Sequence, residues 1–316
     1  MVDGATVLPP FDDLPFDVYR ARLYDYAELA ASAPGDATRT LDERIGDWFR
    51  TSTAELPDAV IRALHDATID VALARFVGGR RMVGVMGGHA VGRGDPLYRS
   101  VAGLGGDLTR RGWCVATGGG PGVMEAANLG AWFAGHDDGA LAEALELLGT
   151  TPSYAADRDA HRLAALEVRA RWPQTGESLG VPTWVYLDEP TSAFATAIAK
   201  YFANSVRETG LLALARSGVV YAAGGAGTTQ EIFTDAAQNS LSLYEVRSPL
   251  VFLGRRFFEE EQPELVGAVR RQADAFGWGD LVAVCDHADE VVDFLATHDP
   301  DRTGTAGVVR ARQRRS

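Results

Sequence analysis

Short apolar runs alternate with amphipathic stretches over most of the chain after Met82. The run MVGVM at 82–86 ends in glycines and is followed by a stripe of apolar residues at intervals of three and four. This stripe follows a helix start signal, Asp95 and Pro96, and ends at Gly112; its members are Leu97, Val101, Leu104 and Leu108. A strand, WCVAT, and a second helical stretch come next. Successive units of this kind predict a parallel sheet with right-handed crossovers, in a Rossmann-like, doubly wound α/β fold.

The remaining pattern divides the chain into a core with additions. Residues 1–80 form a Pro- and Asp-rich arm and a helical extension, in which Val60, Leu64, Ala67 and Val71 recur as one predicted apolar stripe. The nucleotide-binding core is expected at 81–298, with a helical insertion at about 136–177 that could cover the ligand, and residues 299–316 form a basic tail that we expect to be disordered. Within the core, a strand is predicted at 179–187 and one long helix at 191–217.

Composition narrows the classes of partner. The 316 residues carry a formal net charge of −13, which argues against duplex DNA or an anionic membrane as a partner. No apolar stretch reaches the roughly 18 residues that a membrane span needs, and no secretory leader is evident, so we expect a cytoplasmic protein. Cys114 and Cys285 both lie in strand-like runs, which favours buried, reduced thiols over a disulfide.

The basic residues include a single lysine, Lys200, within the predicted long helix. Because Tyr201 follows it, the chain has no P-loop, in which Ser or Thr follows the lysine. The same lysine is the one residue that could form a Schiff base with pyridoxal phosphate. The six histidines show no metal-ligand spacing, so we expect neither a metal nor a cofactor.

Two loops share one design, in which an apolar strand leads through glycines into a helix. They are ATGGGPGVMEAAN at 116–128 and AAGGAGTTQEIF at 222–233, and we predicted that they follow neighbouring strands. Glycines let a ligand approach backbone N–H groups, and a helix N-terminus favours a phosphate. A glycine-rich turn can also be purely structural. Neither loop has the third glycine of a dinucleotide fingerprint, since Val123 and Gln230 stand there, so a mononucleotide or sugar phosphate is favoured over NAD.

Glu231 closes the second loop in the first turn of its helix. Its carboxylate could simply be favoured by the helix dipole. Alternatively it could stabilise an oxocarbenium-like transition state or orient a water molecule beside a bound ribose, as carboxylates do in glycoside hydrolysis. The residues by themselves leave these two interpretations open.

The two motifs GGGPGVM and GGAGTTQE resemble those of the LONELY GUY family of nucleoside 5′-monophosphate phosphoribohydrolases, whose members are often labelled lysine decarboxylases. The resemblance extends over about residues 80–297 and includes VGVMGG, DPLY and VCDHADEVVDFL. It implies catalysis by Glu231 and by an arginine on the preceding helix, for which Arg207 is the better match and Arg216 the alternative. It also implies a homodimer. The implied phosphate and nucleotide contacts are Gly87, Gly88, His89, Gly118, Gly119, Gly120, Gly122, Met124, Gly224, Gly225, Gly227, Thr228 and Thr229.

The chain departs from the family pattern at several positions. Ala223 stands where Pro usually precedes the glycines, Glu208 replaces the lysine of an Arg-Lys pair, and His89 and Ala90 replace serines. His89 could face the ligand or simply be solvated. These departures concern which base is preferred, and we expected the 136–177 insertion to build the pocket over that base.

The function expected from sequence is hydrolysis of the N-glycosidic bond of a nucleoside 5′-monophosphate, such as AMP or a cytokinin riboside monophosphate, to free base and ribose 5-phosphate. The alternative is a non-catalytic nucleotide or molybdenum-cofactor binding or carrier protein, because such carriers have similar glycine loops. Decarboxylation is the third hypothesis, and it depends on Lys200.

Overall fold

The computed structural model describes residues 11–33, 36–186 and 189–300. Within these residues a seven-stranded parallel sheet forms the centre of the molecule. Its strands are β3 (Met82–Met86), β4 (Cys114–Thr117), β5 (Ser178–Gly180), β6 (Ala197–Ile198), β7 (Val219–Tyr221), β8 (Leu250–Leu253) and β9 (Val282–Cys285). They lie in the order β6-β5-β4-β3-β7-β8-β9, so the chain moves outward in one direction from β3 and then restarts on its other side at β7. This confirms the Rossmann-like, doubly wound α/β fold.

Helices cover the sheet because each carries an apolar face at helical spacing. The core helices are α4 (Pro96–Arg110), α5 (Val123–Trp132), α8 (Asn204–Leu214), α9 (Ala226–Leu241), α10 (Pro263–Phe276) and α11 (Ala288–His298). Helix α4 begins as predicted: the Asp95 carboxylate accepts a hydrogen bond from Leu97 N, and the chain leaves the helix through Gly112 at φ +84°. Val101, Leu104 and Leu108 of its predicted stripe are fully buried.

The N-terminal extension contains a short helix α1 (Tyr26–Ala30), a hairpin of β1 (Ser32–Ala33) and β2 (Asp36–Thr40), and helices α2 (Leu41–Thr51) and α3 (Leu56–Val77). The helix over α3 was predicted, but its buried face was not. Val71 is 52% exposed, whereas the residues that pack inward are Ile61, His65, Asp66, Ile69 and Ala72. Two polar side chains can be buried there because His65 bonds Tyr24 Oη and Asp66, at 2.9 and 3.0 Å.

The prediction of one long helix at 191–217 is wrong. Residues 191–203 contain a turn at 193–194 and the short strand β6, which pairs with β5 at the edge of the sheet, and α8 begins only at Asn204. Lys200 therefore lies two residues after a strand, not in the middle of a helix. The predicted strand at 179–187 is likewise short and ends at Gly180, just before Pro182. Most described residues of both segments are buried, so their periodicity did not separate helix from strand.

The insertion contains the two predicted helices, α6 (Asp138–Gly149) and α7 (Arg158–Arg171). A buried ion pair attaches it to the core. The Arg93 guanidinium donates two hydrogen bonds to the Glu125 carboxylate of α5, at 2.9 and 2.7 Å, and a third to the carbonyl oxygen of His161 in α7. Tyr98 Oη donates to the same carboxylate, so every partner of this buried charge is accounted for.

Both cysteines are buried free thiols, as predicted. The predicted tail boundary at 299 falls on a buried residue: Asp299 accepts a hydrogen bond from Trp113 Nε1 at 3.0 Å and pairs with Arg81. Residues 301–316, the rest of that tail, lie outside the described residues, as do residues 1–10 of the arm. None of the helices in the described ranges is both long and apolar enough to cross a membrane.

Candidate functional site

Three glycine-bearing loops meet at the carboxyl edge of the sheet, where β3, β4 and β7 end. Gly88 N, after β3, donates to Ala223 O of the β7 loop at 2.9 Å, and Val123 N, at the start of α5, donates to Gly88 O at 3.1 Å. The prediction that the β4 and β7 loops follow neighbouring strands is wrong, because β3 lies between β4 and β7. This is the switch point of the doubly wound sheet, where ligands of such folds bind.

A cavity of about 400 Å³ opens at this point. Its walls come from the three loops, from residues 182–191 after β5, and from α8 and α9. The predicted site residues in its lining are Gly87, Gly88, His89, Gly118, Gly120, Met124, Arg207, Gly225, Gly227, Thr228 and Glu231. Arg216, the alternative to Arg207 as the catalytic arginine, does not line the cavity, and neither does Thr229.

The N-terminus of α9 faces this cleft without a side-chain cap. Gly225 is the N-cap residue, and no side chain accepts a hydrogen bond from the first turn. The first N–H groups of a helix have no partner within it, and the helix dipole makes this end partly positive. Gly225 and Gly227 have no neighbouring atoms where a Cβ would lie, so a ligand can approach the backbone closely. These features suit a phosphate.

Three of the predicted glycines serve packing and do not line the cleft. Gly119 and Gly122 have positive φ, at +71° and +70°, which favours glycine. A Cβ on Gly119 would come within 2.7 Å of Pro182 Cδ, and one on Gly122 would collide with Gly88 O. A Cβ on Gly224 would collide with Thr228 Oγ1. These glycines let the loops approach one another closely enough to form the cleft.

Arg207 and Glu231 meet in the cleft, with 3.7 Å between Arg207 Nη1 and Glu231 Oε1. The guanidinium is held in place by two backbone carbonyls, since Nε donates to Val181 O at 2.6 Å and Nη2 to Gly118 O at 3.2 Å. The side chains are 9% and 12% exposed. Arg207 therefore presents a fixed, largely desolvated positive charge to the carboxylate and to any ligand beside it.

Burial gives Glu231 an unusual affinity for a proton. It raises the pKa of Glu231 to about 7; Arg207 opposes the rise, and Glu208 adds to it. A carboxyl group with a pKa near 7 can both accept and donate a proton at neutral pH. One helical turn later, burial also raises the pKa of Asp235 to about 7, although Tyr221 Oη donates a hydrogen bond to it at 2.9 Å.

A second carboxylate, Glu189, lines the cleft, and the sequence interpretation missed it. Glu189 Oε1 lies 3.5 Å from His89 Nδ1, and a Cβ on Gly120 would come within 3.2 Å of Glu189 Oε2. Burial raises the pKa of Glu189 against the opposing effect of His89 and Arg207. No sequence signal marks this residue, because it lies in irregular chain between the predicted strand at 179–187 and the predicted helix at 191–217. His89, 56% exposed, reaches the cleft as one of its two proposed roles requires.

The N-terminal extension supports the wall that carries Glu189. Asp42, in the first turn of α2, accepts hydrogen bonds from Lys200 Nζ at 2.7 and 2.9 Å, from Thr191 Oγ1 at 3.0 Å and from Trp184 Nε1 at 2.8 Å. Lys200 also donates to Thr191 Oγ1 at 2.9 Å. The single lysine of the chain therefore secures residues 184–191 through an ion pair, and its ammonium group is already fully bonded.

The insertion does not line the cleft, contrary to expectation. The described residues that line the cleft include none from 136–177; that side is formed by residues in 182–186 and 189–191 and by Lys200. Helix α7 instead borders a second, smaller cavity of about 270 Å³, shared with α1 and α2. The core sheet already brings residues 182–191 over the cleft because β5 and β6 end beside it.

Part of this region is similar to a known family. Residues 80–141 match the model of the SLOG cluster4 family. This segment contains β3, α4, β4, α5 and two of the three glycine-bearing loops, and the SLOG superfamily of the matched model includes LOG-like proteins. The SLOG match supports the sequence resemblance at the level of the superfamily, and the LONELY GUY family itself stays a prediction. A search of curated proteins found no match to the chain.

Solved structures with a similar fold include two molybdenum cofactor proteins. One is the molybdenum cofactor binding protein of Rippkaea orientalis, with 16% identity and a TM-score of 0.42 over 69% of this chain and 96% of that one. The other is the molybdenum cofactor carrier protein of Chlamydomonas reinhardtii, with 20% identity and a TM-score of 0.40 over 69% of this chain and 99% of that one.

Proposed function

We propose that the cleft binds a small phosphorylated ligand of the nucleotide type and hydrolyses the N-glycosidic bond of a nucleoside 5′-monophosphate. The observation that carries this proposal is the meeting of Arg207 and Glu231 in a glycine-walled cleft at the uncapped N-terminus of α9. The products would be the free base and ribose 5-phosphate. AMP, with or without a substituent on N6, is the first substrate to test.

The backbone provides the phosphate contacts in this proposal. The N–H groups of the first turn of α9 and the Thr228 hydroxyl would hold the 5′-phosphate. Gly118 and Gly120 line the same cleft, where the ribose would lie. A phosphate placed at the helix N-terminus positions C1′ of the same nucleotide beside the Arg207–Glu231 pair, because a ribose 5-phosphate is only a few bonds long.

Glu231 performs the chemistry in this proposal. As the bond between C1′ and the base breaks, positive charge develops on the ribose, and an ionised carboxylate in a desolvated site stabilises that charge. The same carboxylate accepts a proton from the attacking water molecule. The fixed Arg207 charge keeps part of the Glu231 population ionised at neutral pH in spite of its burial.

The test is incubation of the purified protein with a panel of nucleoside monophosphates, with free base and ribose 5-phosphate measured. We expect release of base by the wild type, loss of about 10³-fold or more with Glu231→Gln, and retained nucleotide binding by that variant. A matched control is Glu264→Gln on the exposed face of α10. Absence of base release from every member of the panel would exclude hydrolysis.

The second candidate is a non-catalytic nucleotide or molybdenum-cofactor carrier. The observation that favours it is that Arg207 Nε and Nη2 both donate to backbone carbonyl oxygens. These bonds make the guanidinium a rigid part of the cleft wall. The two solved structures named above are described as molybdenum cofactor proteins, and neither is described as a hydrolase. Retention of a pterin absorbance on the purified protein, with no turnover of any nucleotide, would favour this candidate.

Decarboxylation with pyridoxal phosphate is not supported by the position of Lys200. Its ammonium group is held by the Asp42 carboxylate and the Thr191 hydroxyl, whereas a Schiff-base lysine must lose its charge before it can react. We therefore do not retain this hypothesis.

A homodimer is part of the proposed function. Exposed apolar side chains cluster on α9 and directly after it, namely Phe233, Leu241, Leu243 and Tyr244. We propose that a second copy of the chain covers this surface. Light scattering should show a dimer for the wild type and a monomer for Leu241→Glu combined with Leu243→Glu. We also propose a cytoplasmic location and no nucleic-acid partner, in keeping with the net charge of −13.

A further inference from the structure

Three carboxylates line the cleft, Glu189, Glu208 and Glu231, and only Glu231 has been given a chemical role. Glu189 is 25% exposed and enters from the loop after β5, whereas Glu231 enters from the helix after β7. Strands β4 and β3 lie between these two elements, so Glu189 and Glu231 reach the cleft from elements on either side of these strands. Arg207 acts electrostatically on both of them.

The position of Glu189 is fixed by contacts on both sides along the chain. Glu189 N donates to Tyr186 O at 3.0 Å, which closes a turn before it. After it, Thr191 is bonded to Asp42 and Lys200, and Ser192 N donates to Gly119 O at 2.8 Å. A catalytic group must stay close to one position, and a side chain supported by such contacts does so better than one on a loop without them.

The chemistry of the proposed reaction calls for a group in this position. A nucleobase leaves poorly as an anion, so cleavage of its bond to C1′ is faster when a ring nitrogen or exocyclic oxygen is protonated as the bond breaks. Glycoside hydrolysis solves the same problem with two carboxyl groups, one that donates a proton to the leaving group and one that stabilises the ribosyl cation. Burial and the neighbouring Glu208 and Arg207 suit Glu231 to the second role.

We propose that Glu189 is the acid that protonates the departing base, with His89 beside it. This inference rests on the proposed hydrolysis. The Glu189 carboxyl proton moves to the base as the bond from C1′ to nitrogen breaks, and the bonding electrons stay with the base. Water then forms the new bond to C1′, and its proton passes to Glu231. The sum is nucleotide plus water giving neutral base plus ribose 5-phosphate, after which solvent returns the proton from Glu231 to Glu189.

The pKa of Glu189 is raised by burial, and two charged or titratable groups face its carboxyl group. Burial disfavours its ionised form, while His89 and Arg207 favour it. His89 Nδ1, at 3.5 Å from Oε1, can return a proton from solvent because the histidine side chain is 56% exposed. His89 therefore acts as a positioning and reprotonating group, and the base is expected to contact Glu189 itself.

The test compares two substrates that differ in their leaving group. AMP needs protonation of its base, whereas p-nitrophenyl β-ribofuranoside 5-phosphate releases a stable nitrophenolate that needs no acid. We expect Glu189→Gln to lower kcat for AMP by about 10²-fold or more and to change kcat for the nitrophenyl substrate by less than about threefold. Glu231→Gln should lower both, and Glu264→Gln should lower neither.

A second variant distinguishes loss of the acid from loss of the fold. Glu189→Ala leaves space beside Gly120, and we expect added formate or acetate to restore part of its activity on AMP, with an unchanged melting temperature. Equal losses on both substrates without rescue by formate would overturn the role of Glu189 while leaving the hydrolysis in place. A wild type that cleaves neither substrate would overturn the hydrolysis and this inference together.

Discussion

Arg207 fills the space beside Gly118 where a side chain would lie. The Arg207 guanidinium donates to Gly118 O at 3.2 Å, and its Nη2 lies where a Cβ on Gly118 would be. The absence of a side chain at position 118 is therefore what allows the arginine to reach the cleft from α8. In the proposed function this glycine therefore acts indirectly, by leaving room for the charge of Arg207.

Gly118→Ala should displace Arg207 and separate it from Glu231. We expect a loss of about 10²-fold in kcat/KM, in line with removal of a preorganised charge from a transition state, and a higher pKa for Glu231 because Arg207 lowers it. Steady-state kinetics on the nucleotide measure the loss. Gly103→Ala in α4 is the matched control, since no atom lies within 4 Å of its Cβ position and alanine favours a helix.

The rate of hydrolysis should depend on the ionisation of Glu231. The carboxylate form is the active one, and its pKa of about 7 means that kcat should rise as the pH increases through neutrality. At higher pH, kcat should fall again where Glu189 loses the proton that its proposed acid role requires. Glu208→Gln should move this rise to lower pH, because Glu208 contributes to the raised pKa. A pH profile of kcat for both proteins checks this; an unmoved profile would show that another group controls the rate.

Asp235 should make the protein less stable as pH rises. Its folded pKa of about 7 exceeds the unfolded value, so the folded state holds the proton more tightly and its advantage is complete only at low pH. The stability that it contributes is lost as the pH rises from about 4 to about 7. This loss is on the order of 4 kcal/mol, because folding raises the pKa of Asp235 from about 4 to about 7.

Asp235→Asn mimics the protonated side chain and tests this prediction. Denaturant unfolding at pH 5 and pH 8 should give the variant a smaller difference between the two conditions than the wild type shows. The variant should at least match the wild type at pH 8. A remaining slope is expected from Glu231, whose pKa is also raised. An equal slope in wild type and variant would contradict the assignment.

Asp42→Ala should destabilise the protein by about 3–5 kcal/mol, because it leaves the buried ammonium group of Lys200 without its counter-ion. It should also loosen residues 184–191 and thereby reduce catalysis through Glu189. The double variant Asp42→Ala with Lys200→Met removes both charges, and we expect it to recover much of the stability. Urea unfolding of the two variants and of Lys200→Met completes the cycle.

Local patterning was sufficient for the core of the fold. Strands β3, β4, β7, β8 and β9 are short apolar runs that each precede a helical stretch, so this part of the strand-and-helix order could be predicted from neighbouring residues. The glycine loops were also visible, because the residue type reports the backbone conformation directly, as the positive φ of Gly119 and Gly122 shows.

Prediction failed where burial is uniform or where polar groups find distant partners. Residues 191–203 are buried almost throughout, polar Thr191 and Lys200 included, and the pairing of β6 with β5 brings part of this segment into the sheet. In α3 the buried face includes His65 and Asp66, whose partners Tyr24 and Ala203 are 41 and 137 residues away. Neither the apolar pattern nor the spacing of residues contains such information.

The sequence by itself determined the doubly wound sheet, the glycine loops at its carboxyl edge and the candidate pair of Arg207 and Glu231. Only the tertiary structure decided that β3 separates the two main loops, that Glu189 and Glu231 line the same cleft, and that Lys200 and Asp42 support the wall that carries Glu189. The physical reason is range: secondary structure and turn chemistry depend on residues a few positions apart, whereas desolvation and ion pairing depend on segments that meet only when the chain is folded.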